Sequence, residues 1–154
     1  MKKLFLALLT LSVFAIGEQS LAAGVDDFVI TVKTDNAGVS LANEFTIPTR
    51  AGFTYDYNVD CDTGNAGTNT HSAQTGDVTC QYAAAGTYTI AIEDNIGNKK
   101  GFPRISFGNG GDKAKIMTIE QWGTGEWGEM TEAFYGCSNL TVPATDAPVF
   151  TAAN

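Results

Sequence analysis

The chain has one histidine, three cysteines, four prolines and only nine Lys plus Arg in 154 residues. The seven basic residues beyond Lys2 and Lys3 form no strip, and the formal net charge is -8. An acidic surface of this kind repels nucleic acid and anionic lipid heads, so a nucleic-acid role is excluded. The cysteines include no Cys-x-x-Cys pair and His71 stands alone, which argues against a zinc site. Beyond the first residues, nothing is apolar enough to span a bilayer. Long charged side chains are scarce. Gly, Thr, Asn and Ala are abundant instead, a composition that suits an exported all-β module.

The N-terminus has the features of a secretory leader. Lys2 and Lys3 precede an apolar run from Leu4 to Ile16, broken only by Thr10 and Ser12. Ser20-Leu21-Ala22 supplies small residues at the two positions a signal peptidase reads, so cleavage is expected after Ala22. A membrane anchor is the competing reading, but the run is short and no stop-transfer charges follow it. Removing Lys2, Lys3 and Glu18 takes the net charge from -8 to -9 and leaves about 132 residues, enough for one small domain plus a fragment. The organisation expected is a leader over 1–22, a β-sandwich over 23–107, and a cap with a repeat fragment over 108–154.

Cys61 and Cys80 flank a polar Gly/Asn/Thr-rich loop over residues 62–76. A bridge between them closes about 20 residues and stabilises by roughly 3 kcal/mol in the chain-entropy estimate. Export makes it chemically reasonable. Cys137 is left over, either as a small buried apolar residue or for pairing with another chain.

Alternation predicts the strands. Phe28, Ile30 and Val32 share one face, as do Phe45 and Ile47 ahead of Pro48. Phe53, Tyr55, Tyr57 and Val59 form the clearest stripe. Val78–Tyr82 and Thr87–Ile92 follow, the latter with Tyr88, Ile90 and Ile92 inward, and residues 101–107 offer a last strand. Six short strands with Gly-rich turns predict a β-sandwich. Ile116, Met117 and Ile119 make a further short strand or edge. Glu129–Tyr135 predicts a short helix, since Met130, Ala133, Phe134 and Cys137 fall at i, i+3, i+4 and i+7 and Gly136 can end it.

Two resemblances add to this. Gly86-Thr87-Tyr88-Thr89-Ile90 resembles the Gly-x-Tyr-x-(Val/Ile) segment of PKD-like, immunoglobulin-type modules. That implies a Tyr88 packed near a strand start with its hydroxyl capping nearby backbone. The Trp-Asp-Phe-Gly-Asp-Gly-like stretch of that family is replaced here by Val59-Asp60-Cys61-Asp62-Thr63-Gly64. Residues 130–142 read Met-Thr-Glu-Ala-Phe-Tyr-Gly-Cys-Ser-Asn-Leu-Thr-Val and resemble one unit of the leucine-rich repeats of BspA-like bacterial surface proteins. The resemblance implies that Asn139 bonds backbone in its turn and that Leu140 enters a solenoid core. It also implies the front end of a longer surface protein, or a shortened relative of one, working by adhesion or protein–protein contact. A lone repeat needs stacked neighbours.

Three sites come into question. Asp60, Asp62 and Asn65, with Asp77 and Asp56 nearby, offer oxygen ligands for calcium, against the simpler reading that they start turns. No other cofactor is indicated. Trp122 and Trp127, with Tyr82, offer stacking platforms for surface glycans, against the reading that the two tryptophans cap the end of a repeat array. A hydrolase built on His71 and Ser72 lacks an oxyanion site and an orienting carboxylate, so no enzyme is expected.

Overall fold

The structure is a computed structural model and describes residues 23–65 and 68–151. The expected leader, residues 1–22, lies outside the described residues. Among the described residues the fold is mainly β, with no α-helix and no helix long and apolar enough to cross a membrane. The strands are β1 (Phe28–Lys33), β2 (Glu44–Ile47), β3 (Tyr57–Asp60), β4 (Thr70–Gln74), β5 (Val78–Gln81), β6 (Thr87–Asp94), β7 (Ile116–Gln121), β8 (Glu126–Trp127) and β9 (Val149–Phe150).

An antiparallel five-stranded sheet runs in the order β4-β3-β6-β1-β7. A separate antiparallel ribbon pairs β2 with β5, Phe45 opposite Cys80 and Ile47 opposite Val78. The alternation that predicts these strands is the one that builds the core. Phe28, Ile30 and Val32 from β1, Tyr57 and Val59 from β3, and Ile90 and Ile92 from β6 are buried together with Phe45, Ile47, Val78 and Cys80 of the ribbon. Two layers sharing one apolar interior are consistent with a sandwich.

The disulfide joins those layers. Cys61, immediately after β3, is bonded to Cys80 on β5, with alpha carbons 5.6 Å apart. Beside it, the Tyr82 hydroxyl donates to the Cys61 carbonyl (2.7 Å), and the Tyr82 ring stacks on Tyr88 with centroids 3.6 Å apart. Burial pushes the Tyr82 hydroxyl far above its ordinary pKa, so it stays a donor. Tyr88 is half-buried, and its hydroxyl donates to the Ala84 carbonyl (2.8 Å). Tyr82→Phe, which keeps the stack and deletes the donor, is expected to lower the unfolding free energy by about 1–3 kcal/mol. Urea denaturation checks this; an unchanged midpoint removes the hydroxyl from the account.

Several expectations are corrected. The polar loop over 62–76 contains β4, which pairs with β3, Val59 opposite His71. Its side chains carry no apolar stripe, so backbone pairing alone makes it a strand. Ala73, at φ 53°, marks an irregular register, and its N–H bonds the Asn58 side chain. The strand expected from Phe53 begins only at Tyr57. Residues 101–107 form no strand: Pro103 interrupts the ladder, and the segment is tied instead through Asp56 N–H to Gly101 O and Ser106 N–H to Pro48 O. Phe102, Ile105 and Phe107 are nonetheless core residues.

The helix expected over Glu129–Tyr135 is also absent. Thr131–Gly136 is a run of turns, with Ala133 bonded to Met130, Tyr135 to Glu132 and Cys137 to Phe134. Glu132 sits at φ 57°, which a right-handed helix does not allow. The apolar face survives the change: Ala133 is buried, while Met130, Phe134 and Cys137 pack on the core. Burial pushes the Cys137 thiol up to about 11. Finally, the expected break after residue 107 does not interrupt the sheet, because β7 pairs with β1, Ile119 opposite Ile30.

Candidate functional site

The last described segment is laid along β7 in parallel, whereas every pair within the five-stranded sheet is antiparallel. Thr118 and Thr141 form a parallel bridge. Thr141 N–H donates to Met117 O (2.9 Å), Ile119 N–H to Thr141 O (3.0 Å) and Ala144 N–H to Ile119 O (3.1 Å). Farther along, β8 and β9 pair in parallel, Glu126 with Val149 and Trp127 with Phe150. In each of these three pairs the partner lies 23 residues downstream. Residues 139–150 therefore repeat the path of residues 116–127, one layer further out.

Side chains hold this second layer in place. Both Asp146 carboxylate oxygens accept the Trp122 N–H, and one of them accepts the Gly123 N–H (2.8 Å). Gly123 lies at φ 71° against the Asp26 and Asp27 carbonyls, a position that a side chain would obstruct. The Asn139 amide donates to the Ala114 carbonyl (2.7 Å). That bond reaches across layers and not within the turn of Asn139. Leu140 is half-buried on the core.

At two apolar positions the two layers match in residue type but not in burial. At the same 23-residue spacing, Ile119 is followed by Val142 and Trp127 by Phe150. Ile119 and Trp127 are buried, whereas Val142 and Phe150 are 52% and 53% exposed. Val149 beside them is exposed too. The outer layer offers apolar side chains where the inner layer has covered ones.

The residues singled out for ligands do not converge. Asp60 Oδ1 accepts the Asp62 N–H, and Asp62 Oδ2 accepts the Asn65 amide, around a 3-10 turn at Thr63–Asn65. Asp77 is engaged elsewhere, accepting the Thr49 N–H (2.7 Å) and hydroxyl (2.6 Å). The calcium set is thus corrected to two separate turn caps, and among the described residues no group of three His, Cys, Asp or Glu could hold a metal ion.

The paired tryptophan platform is corrected as well. Trp127 is 2% exposed, edge-on to Phe28, Phe102 and Trp122, and presents no face to a sugar. Tyr82 is buried. Trp122 is half-buried and walls a cleft of about 250 Å³ together with Asp26, Asp27, Lys99 and Thr124.

Sequence reasoning missed a buried charge network. Asp112 and Lys115 are each 1% exposed. Asp112 accepts hydrogen bonds from the Val39, Ser40 and Thr46 N–H groups and from the Ser40 hydroxyl. Lys115 Nζ donates to the Ser40, Leu41 and Glu44 carbonyls. Gly38 leaves the room they need, since a Cβ there would collide with both side chains. Its only trace in the sequence is an Asp and a Lys at i, i+3 after a glycine pair. Comparison with protein-family models, with curated proteins and with solved structures finds no match to this chain.

Proposed function

We propose that the chain is an exported, non-catalytic module that works by protein–protein contact at the cell surface. In this reading an immunoglobulin-type β-sandwich carries the cap and first turn of a BspA-like leucine-rich solenoid. The observation that carries it is the 23-residue parallel register, in which Ile119 and Trp127 are covered and their counterparts Val142 and Phe150 are open. Solenoid layers bury their faces only against neighbours. The Met-x-x-Ala-Phe-x-x-Cys-x-x-Leu pattern over Met130–Leu140 lies between the two layers, as a repeat boundary would. Export is supported by the leader pattern and by the Cys61–Cys80 bridge.

Without a following layer, the open edge promotes association. Light scattering of the chain from Ala23 to Asn154 is expected to show a mass that rises with concentration. The double change Val142→Asp with Phe150→Asp is expected to hold it at one copy. A native chain that stays strictly monomeric at high concentration sinks the contact reading. A second reading, glycan binding, rests on the Trp122 cleft alone, and saccharide quenching of Trp122 fluorescence tests it.

A further inference from the structure

A second cleft, about 430 Å³, lies on the outer side of the five-stranded sheet. Ala23 and Gly24 line it together with Asp27, Asp60, His71 and Glu93. The three carboxylates come from three places: the lead into β1, the end of β3, and β6. Sheet register brings the last two together, since Asp60 lies opposite Ala91 and Asn58 opposite Glu93. No lysine or arginine lines the cleft, and among the described residues none of the three acids takes part in an ion pair.

Their hydrogen-bond donors are all neutral. Asp27 accepts the Gly24 N–H (2.7 Å), Asp60 the Asp62 N–H (3.0 Å) and Glu93 the Asn58 amide (3.0 Å). Asp27 is mostly buried. Burial, then the charges of Glu93, Asp26 and Asp60, push its carboxyl above the ordinary value. His71, in the same cleft, has a buried Nε2 with no hydrogen bond. The cleft is therefore short of a cation with several N–H donors.

The chain itself can supply one. We infer that leader removal after Ala22 places a new α-ammonium, on Ala23, in this acidic cleft as a structural counter-ion. The inference rests on the export reading above. In the precursor the Ala23 nitrogen is an uncharged amide with one hydrogen. Hydrolysis adds water across the Ala22–Ala23 bond: Ala22 leaves as a carboxylate, and Ala23 keeps its nitrogen as –NH₃⁺. The neighbouring residue is already held. Gln121 Nε2 donates to the Gly24 carbonyl (2.7 Å) and to the Asp27 carbonyl (2.8 Å), and Asp27 N–H bonds back to Gly24. Ala23 lines the same cleft as Asp27, Asp60, Glu93 and His71, so the ammonium forms among these carboxylates. Opposite charges within one cleft favour the charged amine and depress the carboxyls.

The linkage has a definite sign. An amine whose pKa is raised by folding contributes stability that is complete below its unfolded value, about 7.7–8.0. That contribution disappears as the pH climbs through the raised folded value.

The described fold lies within residues 23–151, so the chain from Ala23 to Asn154 can be compared in three forms, each with its disulfide formed. One has a free Ala23 amine, one is Nα-acetylated, and one carries Gly-Ser ahead of Ala23. The free form is expected to melt highest at pH 7. Its advantage should fade above the amine's pKa and disappear with Glu93→Gln plus Asp27→Asn. NMR titration should place the Ala23 amine above about 8.0. Equal melting of the three forms with an ordinary amine pKa overturns the inference. N-terminal sequencing of the exported chain tests the export reading separately. An uncut chain beginning at Met1 overturns both, whereas a processed chain with another start, or a start at Ala23 with equal melting, overturns the counter-ion alone.

Discussion

Replacing Asp112 with alanine is expected to lower the unfolding free energy by about 3–5 kcal/mol, because it leaves the Lys115 charge buried without its counter-charge. It also strips an acceptor from three backbone N–H groups, Val39 and Ser40 ahead of β2 and Thr46 within it. Chemical denaturation reads the loss directly. A loss below about 1 kcal/mol would refute the network. Asp112→Ala with Lys115→Met is expected to recover part of the stability, since the orphaned charge goes with it. The pH dependence follows from the same contacts. Burial alone would raise the Asp112 carboxyl, but the Ser40 and Thr46 donors and Lys115 outweigh it and hold it below its ordinary value. A depressed carboxylate contributes stability that is complete above its unfolded pKa, about 3.9. That stability drains away as the pH falls through the lower folded value. Acid unfolding of the native chain below pH 4 should therefore be steeper than that of Asp112→Ala.

Removing the bridge by Cys61→Ala with Cys80→Ala is expected to cost about 3 kcal/mol in the loop-closure estimate. The sequence separation it closes is 19. Both residues are buried in the core, so the alanines also forfeit sulfur packing. Thermal melting with and without reductant measures the same quantity in the native chain. Identical curves in the two conditions would show that the bridge carries no stability.

The parts of the fold that were legible in sequence are those with a one-sided apolar stripe. Phe28/Ile30/Val32, Phe45/Ile47 and Ile90/Ile92 each read as inward faces, and each is buried. Cys61 and Cys80 were legible because two cysteines bracketed a polar loop. β4 was not legible, since Thr-His-Ser-Ala-Gln becomes a strand only through the edge that β3 offers it. The turns at Thr131–Gly136 show the converse. Helical spacing marked the right inward side chains, but it could not register the left-handed Glu132. Glycine-rich surroundings left Trp127 open to either an exposed platform or a buried cap, and what decides it is enclosure by Phe28, Phe102, Trp122 and β9, most of it from distant stretches. The layered register was least accessible of all. It depends on backbone pairing between Thr118 and Thr141, which no side-chain pattern announces.

The strand order has a consequence for the timing of folding. β1 sits between β6 and β7, with Phe28 opposite Ile92 and Ile30 opposite Ile119. The first strand to leave any channel that threads this chain from its N-terminus finds its neighbours only after Gln121 has also emerged. Pairing over such spans belongs to the slow class, with folding in milliseconds to seconds. The ribbon of β2 and β5 is complete much earlier but has no sheet to rest on. The four strands β1, β3, β4 and β6 are all present once Asp94 has emerged, and β7 completes the edge of the sheet last.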